Sequence, residues 1–119
     1  MKRSRIGIAV LLLLVIATSV LAGGASGAAV NTEIIAGPGS ALATYYTPAV
    51  VITKGGTATF LNLDVAQHNV VSVPAGKFAS ALIGTGRSVP VKGVSALKKG
   101  TYKFHCTIHL NMTGTLTVT

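Results

Sequence analysis

An all-β sandwich of about seven to eight strands is the fold this chain predicts, and three observations predict it. Apolar and β-branched runs of four to eight residues recur from Thr32 onward, punctuated by Gly, Pro, Asn and Lys-Gly. No segment after the N-terminal apolar run shows helical periodicity. Roughly ninety residues remain once that run and its polar sequel are set aside, enough for one domain with one core.

Taken in order, Met1 to Arg5 carry three positive charges and no negative one, and an unbroken apolar run from Ile6 to Ala17 follows. Residues 1–22 therefore read as a secretory signal, with Val20-Leu21-Ala22 offering a small residue at the last position before a cut and Gly27-Ala28-Ala29 a second candidate. The apolar stretch to Ala22 lies at the short end of what spans a bilayer, so an uncleaved N-terminal membrane anchor is the competing reading. Residues 23–31, rich in Gly, Ala and Ser, read as a flexible spacer, and residues 32–119 as the folded domain.

Within the domain, strands are expected near Thr32–Ala36, Ala43–Tyr46, Val50–Lys54, Thr57–Leu63, His68–Val73, Ser88–Val94, Gly100–Cys106 and Gly114–Thr119. Turns are expected at Gly37-Pro38-Gly39, Gly55-Gly56, Pro74-Ala75-Gly76, Gly84-Thr85-Gly86 and Lys99-Gly100. Gly76 to Gly84, with Phe78 and Leu82 among small residues, is compatible with a short helical turn or a loop. Tryptophan is absent, so the core must rest on Val, Ile, Leu and Ala.

Beyond Thr32, seven basic residues (Lys54, Lys77, Arg87, Lys92, Lys98, Lys99, Lys103) stand against Glu33 and Asp64, a net charge of plus five. A basic surface suits nucleic acid, an anionic membrane or an acidic protein. The lysines are spread between strands without interleaved aromatics, and the chain reads as exported, so nucleic acid is set aside. Plain solubility and docking to an acidic redox partner remain as the two readings.

The chain has one cysteine, and an exported protein gives a lone cysteine no obvious partner. Cys106-Thr107-Ile108-His109-Leu110-Asn111-Met112 places a thiolate, an imidazole and a thioether at three-residue intervals, and Met112 is the only methionine besides Met1. With His68 these supply two histidines, a cysteine and a weak axial methionine, the donor set that suits copper alternating between two oxidation states. Alternation along the preceding strand puts Tyr102, Phe104 and Cys106 on one face and Lys103 and His105 on the other. His105 therefore points away from the site. Singly, His68 reads as a satisfied core histidine, Cys106 as a small buried hydrophobe and Met112 as a gap filler. Together, in this order and spacing, they read as metal ligands. Asn69, next to His68, is the candidate for tying the two ligand segments together through its amide, against the plainer reading of a polar residue at a strand edge.

From about Tyr46 to the C-terminus the chain resembles the cupredoxins, small blue copper proteins of the plastocyanin and amicyanin type. The resemblance runs through Gly55-Gly56-Thr57-Ala58-Thr59-Phe60, His68-Asn69-Val70-Val71 and Gly100 to Cys106, and the short gap from His109 to Met112 looks most like amicyanin. It implies a Greek-key β-sandwich, one type 1 copper ion held by His68, Cys106, His109 and Met112, and electron entry and exit at the exposed edge of His109 within an apolar patch. Ile108 and Leu110 stand where the family often has proline, and His105 stands where plastocyanins carry the tyrosine of a second electron route.

The leading function is a monomeric one-electron shuttle between exported or membrane-bound redox partners, periplasmic or secreted, without a substrate of its own. The second is a copper-storage or copper-delivery protein, against which a lone methionine and a thiolate argue, since delivery favours exposed, methionine-rich sites. For a Cys-His nucleophilic pair no orienting acid is evident in a chain with two carboxylates, a thiol sensor does not use Met112, and a multicopper enzyme needs more than three histidines. The chain is not read as an enzyme.

Overall fold

A computed structural model describes residues 30–119. The leader over residues 1–22 and the spacer before Val30 lie outside the described residues. The chain is already held at its first described positions, where the Val30 amide donates to Thr53 Oγ1 and Asn31 Oδ1 accepts from the Thr57 hydroxyl. No helix among the described residues is long and apolar enough to cross a membrane.

Among the described residues seven strands form two sheets: β1 (Thr32–Ala36), β2 (Ala49–Ile52), β3 (Ala58–Asn62), β4 (Val71–Val73), β5 (Arg87–Pro90), β6 (Gly100–Cys106) and β7 (His109–Val118). One sheet has the order β1-β3-β5 and the other β2-β7-β6-β4. β1 and β3 are parallel, as are β2 and β7, while β3–β5, β4–β6 and β6–β7 are antiparallel. Each of the first five strands is followed by one in the opposite sheet, so the connections cross the ends of the sandwich in Greek-key fashion.

Period-two patterning explains why these segments form strands. In β2, Val50 and Ile52 are buried between exposed Ala49 and Val51, and in β3, Ala58, Phe60 and Asn62 point inward. The core is not aliphatic alone as expected, since its largest fully buried side chains are Tyr45, Phe60 and Phe104. The inward side chains Ile34, Ile52, Phe60, Phe104 and Leu116 fill the space between the sheets. Tyr45 bridges them, meeting Phe104 edge-on at 5.1 Å between ring centroids and Phe60 at 6.2 Å.

Several elements differ from the sequence expectation. Ala43–Tyr46 is not a strand but part of the crossing from the first sheet to the second, following a single 3-10 turn at Ser40–Leu42. Its alternation comes from Tyr45 being buried while Tyr46 is exposed and donates to the Pro38 carbonyl. The strand expected from His68 is regular only from Val71. His68 instead exchanges backbone hydrogen bonds with Ile83, while the Val70 carbonyl accepts from the Ser80 N–H and the Val70 N–H donates to the Ser80 hydroxyl, so Gly76–Gly84 is an extended loop that folds back along them. Val94 opens a second 3-10 turn and does not continue β5.

β7 starts at His109, five residues earlier than the glycine at which it is expected. Gly114 nonetheless marks a point of close approach, because a Cβ there would run into the Phe104 ring and the Pro48 carbonyl. Gly114→Ala is accordingly expected to lower the unfolding free energy by about 1–3 kcal/mol through overpacking, measured by urea denaturation at equal copper loading.

Candidate metal centre

The β6–β7 hairpin builds most of the site. Cys106 pairs with His109 across the two-residue turn Thr107-Ile108, and the regular register resumes only at His105 opposite Thr113. Leu110, Asn111 and Met112 are thus extra residues on one side of the ladder, a bulge of three. This excursion lets one strand deliver both His109 and Met112 to the neighbourhood of Cys106. Cys106 and Met112 are buried, and His109 is partly exposed.

His68 arrives from the loop before β4. It is fully buried, and its ring lies 4.6 Å from that of His109 between centroids. Cys106 Sγ is 3.4 Å from His109 Nδ1 and 3.8 Å from His68 Nδ1. Two donors about 2.0 and 2.3 Å from one ion, at trigonal angles, sit about 3.7 Å apart. The three donor atoms lie within 4.8 Å of one another, so one ion fits between them. Met112 is the remaining sulfur donor, on the same hairpin with no exposed surface. His105 lies on the outer face, opposite Val71 and Thr113, and lines a shallow cleft with Lys103 and Thr44.

Asn69 joins the two ligand-bearing segments. Its side-chain amide donates to Thr107 Oγ1, and its Oδ1 accepts from the Thr107 backbone N–H, both at 2.9 Å. Its own carbonyl accepts from the Tyr45 hydroxyl at 2.5 Å. Burial, and the nearby Cys106 sulfur, push the Tyr45 hydroxyl well above its ordinary value, so it stays a donor. The residue after His68 is thereby locked to the residue after Cys106.

Two contributors carry no motif in the sequence. Asp64 Oδ2 lies 2.7 Å from His68 Nε2, and Asn62 holds the surrounding loop by donating to the Ala66 and Ile83 carbonyls. The one signal for Asp64 is its scarcity, as one of two acidic residues in the chain and four residues before a candidate ligand. The His68 hydrogen bond holds the Asp64 carboxyl below its usual range, helped by the Val65 N–H and opposed by burial. Burial also lowers the His109 ring, with His68 adding to the effect and Asp64 opposing it.

The fold and donor set define a class: a two-sheet sandwich that holds two imidazoles, a thiolate and a thioether at the end of its β6–β7 hairpin is a cupredoxin. Residues 31–119 match the family model of copper binding proteins, plastocyanin/azurin family. A plastocyanin from Prochlorothrix hollandica is 33% identical over 114 residues, spanning 90% of this chain and 87% of that protein. Among solved structures, a purple cupredoxin from Nitrosopumilus maritimus superposes with a TM-score of 0.63 at 26% identity, over 74% of this chain and 99% of its own. The Cu(I) form of a point mutant of amicyanin gives 0.59 at 27% identity, over 80% of this chain and 88% of its own. The chain belongs to the plastocyanin/azurin family of copper-binding proteins, and copper is its cofactor.

Two outcomes follow for the protein. Asn69→Ala should cost about 0.5–1.5 kcal/mol for each of the two hydrogen bonds lost to Thr107 and should shift the visible absorption of the copper form, measured by denaturation and spectroscopy on one sample. For metal-free protein, His109 is neutral in the fold at pH values where the unfolded chain, near its ordinary value of about 6.5, takes up a proton. Stability should therefore fall as pH drops below about 6.5, and fall further below about 4, where the unfolded Asp64 protonates before the folded one. Urea midpoints across that range test the signs, with His109→Asn expected to remove the first decline.

Proposed function

We propose that this protein is an extracytoplasmic, monomeric carrier of single electrons between larger redox proteins. The observation that carries this reading is the contrast in exposure at the site. His68, Cys106 and Met112 are buried while His109 is partly exposed between Ile108, 53% exposed, and Leu110, 98% exposed. Copper supplies a one-electron couple when bound. The chain's part is to hold the donors in a fixed arrangement, to keep water from the thiolate, and to leave one imidazole edge at the surface for a partner. Storage and delivery are disfavoured by the same contrast, since three of four donors are reached only by opening the fold.

A rigid site is what such a carrier needs. When neither oxidation state requires ligands to move, little reorganisation accompanies each transfer. The Asn69–Thr107 bonds and the sheet behind Cys106 supply that rigidity. Exposed Leu63, Val65, Ile108 and Leu110 surround the metal end with apolar surface suited to brief contact with another protein.

The charge is arranged separately. Lys98 and Lys99 precede β6 at the end away from Cys106, the Lys54 amide donates to the Thr119 carbonyl at that same end, and Lys77 and Lys98 border one cleft there. Arg87 stands opposite Asn62, and Lys103 lies on the outer face of β6 beside His105. Acidic partners are thus drawn by the overall field more than by contacts at the electron port, which predicts a salt dependence confined to association.

Addition of Cu(II) to the metal-free protein should produce an intense visible band that ascorbate bleaches and reoxidation restores. Cys106→Ser should abolish the band, and Met112→Leu should retain copper with a shifted potential. A folded protein that gives no band with Cu(II) overturns the carrier reading. Electron exchange with an acidic partner should slow as salt rises, and a salt-independent rate removes the acidic-partner proposal alone.

A further inference from the structure

We propose that Asp64 is a positioning residue of the metal centre: its carboxylate fixes the tautomer of His68 and biases the site toward the more highly charged oxidation state of copper. The second half rests on the copper reading above; the first does not.

The geometry is direct. His68 is fully buried and presents Nε2 to Asp64 Oδ2 at 2.7 Å while its Nδ1 faces the Cys106 sulfur at 3.8 Å. Asp64 is itself nearly inaccessible, its side chain 5% exposed. It is also anchored: Oδ1 accepts from the Val65 N–H at 2.8 Å, its own N–H donates to Asn62 Oδ1 at 2.9 Å, and its carbonyl accepts from the Thr85 hydroxyl at 2.6 Å. The carboxylate is thus held by the His68 ring, the Val65 N–H and the Gly39 N–H.

A carboxylate only accepts hydrogen bonds, so the proton of a neutral His68 ring must sit on Nε2. That leaves the Nδ1 lone pair free, aimed at the point shared with Cys106 and His109. Without the acceptor, either ring nitrogen could carry the proton, and the Nδ1–H form cannot ligate through Nδ1. A metal-binding histidine that donates its other N–H to a carboxylate is oriented and made more basic.

The charge acts in addition to the orientation. A thiolate and two neutral imidazoles leave bound Cu(II) with one net positive charge and Cu(I) with none. A fixed negative charge one imidazole away therefore favours Cu(II) and lowers the reduction potential. Of the chain's two acidic side chains, Glu33 is exposed on β1, whereas Asp64 stands against a ligand.

Nitrogen-15 NMR of the metal-free protein reads the tautomer without reference to copper. His68 is expected in the Nε2–H form, and an Nδ1–H form in the wild-type protein overturns the proposal before any variant is made. Asp64→Asn keeps the shape and removes the charge, and the new amide can donate to Nε2 as well as accept from it. It should give a mixture of tautomers. In the copper form it should weaken Cu(II) relative to Cu(I) by about tenfold or more, a rise in potential of about 59 mV per tenfold for one electron. Asn69→Ala serves as the control, since it loosens the same loops but leaves the His68 partner in place and should not alter the tautomer. A folded Asp64→Asn protein with an unmixed Nε2–H tautomer and unchanged potential refutes the assignment. A mixed tautomer in a variant whose parent shows no copper band leaves the positioning role standing and removes the electron-carrier reading.

Discussion

Two hydrogen bonds between Asn69 and Thr107 hold together the two stretches of chain that carry metal donors, and the rest of the site depends on that clasp. His68 belongs to a loop that pairs with Ile83, and Cys106 is the last residue of β6. Nothing in the sheet ladder links those positions directly, since the β4–β6 pairing begins at Val71 opposite His105. The Asn69 amide closes the gap with one donor and one acceptor to a single residue, which fixes both distance and orientation. Behind it, Tyr45 holds the Asn69 carbonyl while its ring packs on Phe104 and Phe60, so the clasp is tied to the core between the sheets.

The site is therefore built from three layers of constraint. The core fixes Phe104 and hence the direction of β6. The strand end then aims Cys106 inward by simple alternation. Polar residues of the surrounding loops, Asn62, Asp64, Asn69 and Thr107, finally set where His68 sits relative to that sulfur. The described residues contain no buried side-chain nitrogen or oxygen without a hydrogen-bond partner. Polar groups packed this tightly have few alternative arrangements, which is what a site of constant geometry requires.

Much of this is legible in the sequence, for identifiable reasons. The single cysteine, the one internal methionine and the three-residue spacing leave Cys106, His109 and Met112 little else to be than donors to one metal, and strand alternation correctly separates Cys106 from His105. The seven-strand sandwich follows from runs of β-branched residues. What cannot be read is the part that arises from chain crossing. The Ala43–Tyr46 segment alternates like a strand because one tyrosine is needed in the core and the next is not. Asp64 counts as surface charge in the sequence, because a carboxylate four residues from a histidine in a loop has no periodicity to reveal that the two meet. The early start of β7 is hidden because its ligand loop is a bulge within a ladder and not a departure from it.

That bulge separates two jobs that a single strand would otherwise have to reconcile. From Thr113 to Val118 the partner of every residue on β6 is set by the core, whereas Leu110 to Met112 answer to no partner across the ladder. The number and kind of residues in the excursion can change without shifting any side chain of the sandwich to its opposite face. The metal's surroundings are thereby set apart from the ladder: a segment of another length that still supplies the donors would retune the centre while the register of the scaffold is kept.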